Sequence, residues 1–424
     1  MPSAGRTPTT VTEAGAAPAD EIRRPAEQRP ALPATADEAV RRARALRPRL
    51  AALAAETDRT GEDPAEAMRL VAEAGLAALA VPVGLGGLGG LWEDDWSTLA
   101  ALAETWIELS AGDGAVGQIW AAATGQTAAI VLSNPHFPES TRSRIAQELL
   151  HEGRRVVGSR SETGVQATTT AQPVVGGIVI SGTKSFNTGS GALGRDLAIV
   201  SAAFTEGGAV MGLVRLDADG VRPHHDWQVM GQRATNSQTI TYDDVFVPNG
   251  WYAPITPPPM QFLASARLML AAVLVGIGEG ALDAGLDLMR RMDRATLPGM
   301  PDAESDHLAH RRIGEHRIRL AAARALLLRT AAAARTLDPA DPWPTVLDAL
   351  ASTAAGRAAA LEVTSGIFDL TGARSTTERN RLDRFWRNAR TLSLHDPVDA
   401  TTAMLGKQLL TGEIPALSDY FRLG

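Results

Sequence analysis

The stretch Leu382-Asp-Arg-Phe-Trp-Arg-Asn-Ala-Arg-Thr-Leu-Ser-Leu-His-Asp-Pro397 sets three arginines, a histidine and two large aromatics on one short segment. At this spacing Arg384, Arg387 and Arg390 follow one side of a helix. Three guanidinium groups are too many for one buried face, and several can turn toward one anionic site. Pro397 disfavours helix at the residue before it, so the helix ends near His395-Asp396. A histidine, whose ordinary pKa is ~6.5, placed at such a break beside arginines is a candidate for proton chemistry. The same letters also suit a solvated helix face closed by a capping histidine. The rest of the chain has to decide between the two.

Upstream of this segment the pattern stays helical back to the proline-rich connector Pro254–Pro259. Runs from Phe262 to Arg294, Asp306 to Leu337, Trp343 to Gly372 and Arg379 to Leu394 carry apolar residues at three- and four-residue steps. A four-helix bundle over 254–424 is the economical way to bury four such stripes. Before the connector the period changes to two. Val174-Val-Gly-Gly-Ile-Val-Ile-Ser alternates around a glycine turn, Thr205-Glu-Gly-Gly separates two apolar runs, and Thr239–Val247 closes at Pro248. Residues 154–253 are therefore expected to form a small β-domain. Residues 35–153 return to helical spacing. One helix starts near Ala36, a second after Asp63-Pro64 and before Gly75, and others cover Trp96–Ser110, Ala115–Ser133 and Glu139–His151. Residues 1–34 are rich in Ala, Pro, Thr, Glu and Arg without periodicity and read as a disordered tail. The fold class is α+β, in the order α, β, α.

Composition narrows the function. The chain has 424 residues, 45% hydrophobic and 21% charged, with a net charge of −7 and little lysine. No basic block points to nucleic acid. The absence of cysteine removes disulfides, thiolate catalysis and cysteine-bound metal clusters. No cluster has metal-ligand spacing, and His224-His225 reads as a turn feature. The longest apolar run, Leu268–Gly278, is eleven residues, too short for a bilayer. With no apolar segment at the N-terminus to suggest a secretory signal, a cytoplasmic location without membrane contact is expected.

Several motifs together resemble the acyl-CoA dehydrogenase superfamily over nearly everything after the tail. They are Leu70-Val-Ala-Glu-Ala-Gly-Leu-Ala-Ala-Leu-Ala-Val-Pro-Val-Gly-Leu-Gly-Gly-Leu-Gly89, Ser161-Glu-Thr-Gly164, Gly182-Thr-Lys-Ser-Phe-Asn-Thr-Gly189, and Trp227–Ser237 followed by Val245-Phe-Val-Pro248. The resemblance implies an N-terminal α-helical domain, a middle β-domain and a C-terminal four-helix bundle. Dehydrogenases of the family need a carboxylate base, often in a Tyr-Glu-Gly-Thr motif, to remove the proton α to a thioester. Here Leu394-His395-Asp396-Pro397 stands there instead, and Leu382–Pro397 is similar to the two-component flavin monooxygenases typified by dibenzothiophene monooxygenase. Phe385 and Leu392 stand where that branch often has histidines, and Gln118 and Trp120 where its pocket often shows His and Tyr. These departures bear on the substrate.

The resemblance implies an FMNH2- and O2-dependent monooxygenase. A separate NAD(P)H:flavin reductase would supply the reduced flavin, and a C4a-hydroperoxyflavin would oxidise N, S or aromatic C of a small molecule. A homotetramer is implied. His395 is expected as peroxide-side donor or proton shuttle, Ser161 as a hydroxyl at the flavin N5/C4a edge, and Asp396 as a residue orienting His395. Phe186, Thr188 and Trp227 are candidates around the flavin ring, and Arg294, Arg374, Ser375 and Thr376 around its phosphate. Gln118 and Trp120 are expected to line the substrate pocket. Each has a plain structural reading: turn serine, core aromatic, solvated helix end. Lys184 reads as a surface residue, and Arg384 and Arg387 as holding the bundle and a subunit interface. Two alternatives stay open, an FAD-dependent acyl-CoA dehydrogenase using Asp396 or another carboxylate, and an inactive paralogue kept as a binding scaffold.

Overall fold

The computed structural model describes residues 31–89, 96–162, 169–191, 196–256, 260–292, 295, 299–338, 340–395 and 398–414. The expected tail falls almost wholly outside them, as do Arg294 and Asp396. Six helices come first: α1 Ala36–Thr60, α2 Ala65–Glu73, α3 Leu99–Gly112, α4 Gly114–Ala121, α5 Ala129–Leu132 and α6 Glu139–Gln147. Thr35 caps α1 by accepting from Glu38 N at 3.2 Å, and Gly61 ends it at φ +70°. Pro64 is itself the N-cap of α2, one position earlier than a first-turn proline. The run expected as one helix from Ala115 is α4 and α5 joined by a π-helical turn, Ala122–Ala128. Another π turn, Glu148–Glu152, continues α6.

Eight strands follow: β1 Val156–Ser159, β2 Thr170–Val174, β3 Gly177–Lys184, β4 Leu197–Phe204, β5 Ala209–Arg215, β6 Val221–Pro223, β7 Ile240–Pro248 and β8 Tyr252–Pro254. They form one mixed sheet in the order β6-β7-β3-β2-β4-β5-β8, with β1 parallel to the first half of β4. Both expected glycine hairpins are present, β2–β3 and β4–β5. One sheet face buries Ile178, Ile180, Val200, Val214 and Tyr242.

The C-terminal helices are α7 Met260–Arg290, α8 His307–Ala334, α9 Trp343–Thr371, α10 Asp383–Leu392 and α11 Val398–Thr411. The last was not anticipated. Helix α7 is the centre of the molecule, packed against α3, α8 and α9. It is long and apolar enough to cross a bilayer, but most of that surface is interior. Small residues let the helices approach: a Cβ on Gly276 would lie 2.4 Å from the Ile107 carbonyl oxygen, and one on Gly280 2.3 Å from that of Ala111. Beside this contact, Glu108 of α3 receives Arg324 of α8 and Arg47 and Arg44 of α1 at 3.0, 3.3 and 3.4 Å. Desolvation alone would raise its carboxyl, but the three arginines outweigh that and hold it below the usual carboxylate range.

Candidate functional site

One half of the site is the open end of the sheet. The chain leaving β1 runs beside the end of β3, where Ser161 bridges Ser185 and its carbonyl accepts from Ser185 N at 2.9 Å. Phe186, the next residue, is 60% exposed and sits at φ +59°. A left-handed conformation at a bulky residue costs about 1–3 kcal/mol and persists only where the surroundings impose it. Here Asn187 imposes it, donating from Nδ2 to the carbonyls of Lys184 at 2.9 Å and Gln238 at 2.7 Å. Trp227 meets Phe186 edge-on, centroids 6.0 Å apart at 84°, and its Nε1 donates to the Gln232 carbonyl at 3.0 Å. Thr188 Oγ1 lies 3.0 Å from Ser237 Oγ. Phe186 is thus no core aromatic but part of an exposed shelf, with Thr188 two residues on and Ser161 brought beside it by its bridge to Ser185. A planar, polar-edged ring such as an isoalloxazine fits that surface. Lys184, expected at the surface, is 2% exposed, because its ammonium group has Glu162 Oε1 at 2.5 Å and Ser201 Oγ at 3.1 Å to satisfy it.

The other half is the end of α10. Its packing accounts for two of its three arginines. Arg384 is buried, its guanidinium 4.1 Å from the Phe385 ring centroid. Arg387 joins Asp58 of α1 at 2.5 Å, Asp383 at 2.7 Å and the Met230 carbonyl at 2.9 Å. Asn388 Oδ1 accepts from Gln232 N at 2.6 Å. So α10 clasps both α1 and the loop that carries Trp227, and the cluster reads as a latch between elements of one chain. Gly231 makes this possible, since a Cβ there would meet the Arg387 carbonyl oxygen at 2.0 Å.

His395 lies one turn beyond, in a cavity of about 20 Å³ lined by Leu270, Leu274, Thr353, Arg357, Leu392 and Ser393 among others. By accessible surface the residue is exposed, like Leu394 before it, although protein atoms crowd around the ring. Desolvation holds the imidazole below the ordinary histidine pKa, the Leu392 carbonyl opposes, and the charge of Arg267 lowers it further. Nδ1 is 3.2 Å from the Leu392 carbonyl oxygen. A carbonyl only accepts, so Nδ1 carries the proton in that contact and Nε2 keeps a lone pair. No carboxylate is among the described residues lining the cavity.

The remaining candidates are placed separately. Gln118 and Trp120 lie two apart on α4, so they point to different sides of it. Both are buried, and Gln118 Oε1 and Trp120 Nε1 find no hydrogen-bond partner among the described residues. Trp120 lines a cavity of about 30 Å³ with Met68, Leu149, Arg154 and Arg155, whose walls do not include His395. Arg374 and Thr376 are exposed on the loop after α9. Ser375 is buried there, its hydroxyl donating to the Gly372 carbonyl at 2.6 Å. Sequence reasoning missed Gln232, which is 3% exposed with neither side-chain amide atom partnered among the described residues. A larger cleft of about 520 Å³ between α1, α7 and the start of α10 includes none of the candidates.

Two family models match the chain on either side of the sheet. The acyl-CoA dehydrogenase N-terminal domain matches residues 36–134 and the acyl-CoA dehydrogenase C-terminal domain residues 268–400. A dibenzothiophene monooxygenase of Rhodococcus erythropolis is 32% identical over 400 residues, covering 88% of this chain and 93% of that one. The chain belongs to the acyl-CoA dehydrogenase superfamily, in its flavin-dependent monooxygenase branch. A probable FMNH2-dependent monooxygenase of Pseudomonas putida, SfnC, is 28% identical over 399 residues, covering 89% of this chain and 96% of that one. Among solved structures, FMN-bound TdsC from Paenibacillus sp. A11-2 superposes with a TM-score of 0.79 at 24% identity, covering 89% of this chain and 98% of that one. It has the same fold, with the helical, sheet and helical order expected from the sequence.

Proposed function

We propose that this chain is an FMNH2- and O2-dependent monooxygenase that oxidises N, S or aromatic C of a small molecule, fed by a separate NAD(P)H:flavin reductase. The observation that carries the reading is the exposed aromatic shelf of Phe186 and Trp227 at the sheet end, in a chain whose relatives are flavin monooxygenases. The names of the relatives agree with it. The shelf of Phe186 and Trp227 would support the flavin ring, with the hydroxyls of Ser161 and Thr188 toward its polar edge. Arg374 and Thr376 would reach the phosphate, with Arg294 from a neighbouring subunit. Bound reduced FMN supplies the two electrons that, with O2, deliver one oxygen atom to substrate and the other to water.

The chain's own residues do the rest. His395, neutral because desolvation disfavours its charged form, takes a proton at Nε2 and returns it, while Nδ1–H on the Leu392 carbonyl fixes the ring. A role for Asp396 in orienting His395 belongs to this reading. Leu270, Leu274 and Leu392 keep the cavity apolar, and its size admits about one water-sized group rather than a whole substrate. We therefore place the substrate outside it; the cavity beside Trp120 is no larger, so the reading needs a pocket, with Gln118 and Trp120 as its lining residues, completed by further copies in a cytoplasmic homotetramer. Leu394-His395-Asp396-Pro397 in place of a Tyr-Glu-Gly-Thr base motif, together with the monooxygenase names of the relatives, weighs against α-proton abstraction, and so against the dehydrogenase. A substrate panel run with a generic flavin reductase and read by mass for one added oxygen tests the reading. Reduction of a bound FAD by an acyl-CoA would overturn it.

A further inference from the structure

We infer that the buried Lys184–Glu162 ion pair is a positioning device that holds the two flavin-facing segments, Ser161 and Phe186, in register. The inference rests on the proposed flavin site. It starts from an arrangement unusual for lysine: Lys184 is 2% exposed on the last residue of β3, and its side chain turns inward. Its Nζ reaches Glu162 Oε1 at 2.5 Å and Ser201 Oγ on β4 at 3.1 Å. Lys184 is two residues before Phe186, and Glu162 is the residue after Ser161. The pair thus joins the two candidate segments from behind, while the Ser185 N to Ser161 carbonyl bond joins them along the backbone.

Further bonds leave little slack. Glu162 Oε1 also accepts from Thr169 N at 3.2 Å, so one carboxylate ties the chain after Ser161 to the chain before β2. Ser201 Oγ donates to the Arg160 carbonyl at 3.4 Å, so β4 supports the residue before Ser161 as well. On the other strand the Lys184 carbonyl accepts Asn187 Nδ2, the contact that turns Phe186 outward at positive φ. Space behind the pair is closed: a Cβ on Gly182 would lie 2.5 Å from Thr169 Cα. Burial pushes the lysine below its ordinary pKa while Glu162 pulls it back up, so removing the carboxylate leaves a desolvated ammonium with only a hydroxyl. Neither residue has to touch flavin. Each acts through the neighbour that does.

The test is FMN binding by titration of flavin fluorescence, with visible circular dichroism of the bound flavin as the second readout, on full-length protein. Wild type is expected to bind FMN, and Ser161→Ala and Phe186→Ala to bind it more weakly. Glu162→Gln and Lys184→Met are expected to weaken FMN binding at least tenfold and to change the dichroism of what remains bound. Glu162→Asp, which keeps the charge, should recover most of the affinity. Where a single variant does not fold, Glu162→Leu with Lys184→Met removes the pair without stranding a charge. That double variant should fold and still bind at least tenfold more weakly. Folded clamp variants with FMN affinity and dichroism like wild type overturn the positioning role alone. A wild-type protein that binds neither FMN nor FMNH2 overturns the flavin site and the clamp together.

Discussion

The sheet end and the end of α10 are built on different principles. Ser161, Phe186, Thr188 and Trp227 are held by backbone and side-chain contacts within one chain, against a strained backbone, and present an aromatic ring to solvent. Around His395 the walls are mostly packed side chains, the cavity is small, and neighbouring Leu394 is 62% exposed. The first region is preorganised before anything binds. The second gains its character from desolvation, and its apolar rim is left open. A cofactor platform needs the former, because misplacement of a planar ring is costly. A proton-handling group needs the latter, because burial is what moves a pKa.

The largest effect is expected at the second region. His395→Ala should lower substrate oxygenation by ~10²–10⁴-fold and raise H2O2 release, with FMN affinity kept within about twofold. Affinity that falls in parallel with turnover would merge the two regions into one. The pH dependence sharpens this. Since the folded-state pKa lies below the unfolded value of 6.5, the neutral imidazole persists as pH falls past it. The yield of product per flavin consumed should hold level through that value and drop only at lower pH. Stability follows the same sign: the unfolded chain takes up the proton first, so this histidine's contribution weakens as pH falls below 6.5 toward the folded pKa. A drop in yield centred above 6.5 would contradict the burial argument.

Next comes the latch between them. Arg387→Ala strands Asp58, which is 6% exposed. It should destabilise the fold by about 3 kcal/mol, read by denaturant unfolding. A change under about 1 kcal/mol would mean that α10 sits on the Trp227 loop by packing alone. A smaller effect is expected at the platform. Phe186→Gly relieves the left-handed strain while losing the Trp227 contact, so stability should move by less than about 1 kcal/mol. FMN affinity should fall about tenfold, a loss of about 1.4 kcal/mol. Unchanged affinity would remove the shelf from the site. Removing residues 1–30 is expected to change neither melting temperature nor turnover.

The sequence carried the architecture because its period changes from helical to alternating and back, and because glycine turns announce the hairpins. The helix expected to run to Leu394 ends a little earlier, at Leu392. Other features depended on partners far away in the chain. Arg387 meets Asp58 and Asn388 meets Gln232, contacts that no local pattern encodes. Lys184 read as surface because a lone lysine usually is, and Phe186 as possible core because an aromatic in a β-domain usually is. Lys184 is buried because Glu162 and Ser201, far away in the chain, satisfy its ammonium group, and Phe186 turns outward at the positive φ that Asn187 holds. The π turn after α4 was invisible because one extra residue per turn leaves composition unchanged.

The most direct test of the account supplies FMNH2 anaerobically to the protein, adds isotopically heavy O2 with the substrate panel, and follows the heavy atom by mass spectrometry. The account predicts product carrying one heavy oxygen atom, at a yield that collapses in His395→Ala while FMNH2 still binds. Unlabelled product, or substrate-driven reduction of a tightly held FAD without oxygen transfer, would contradict it.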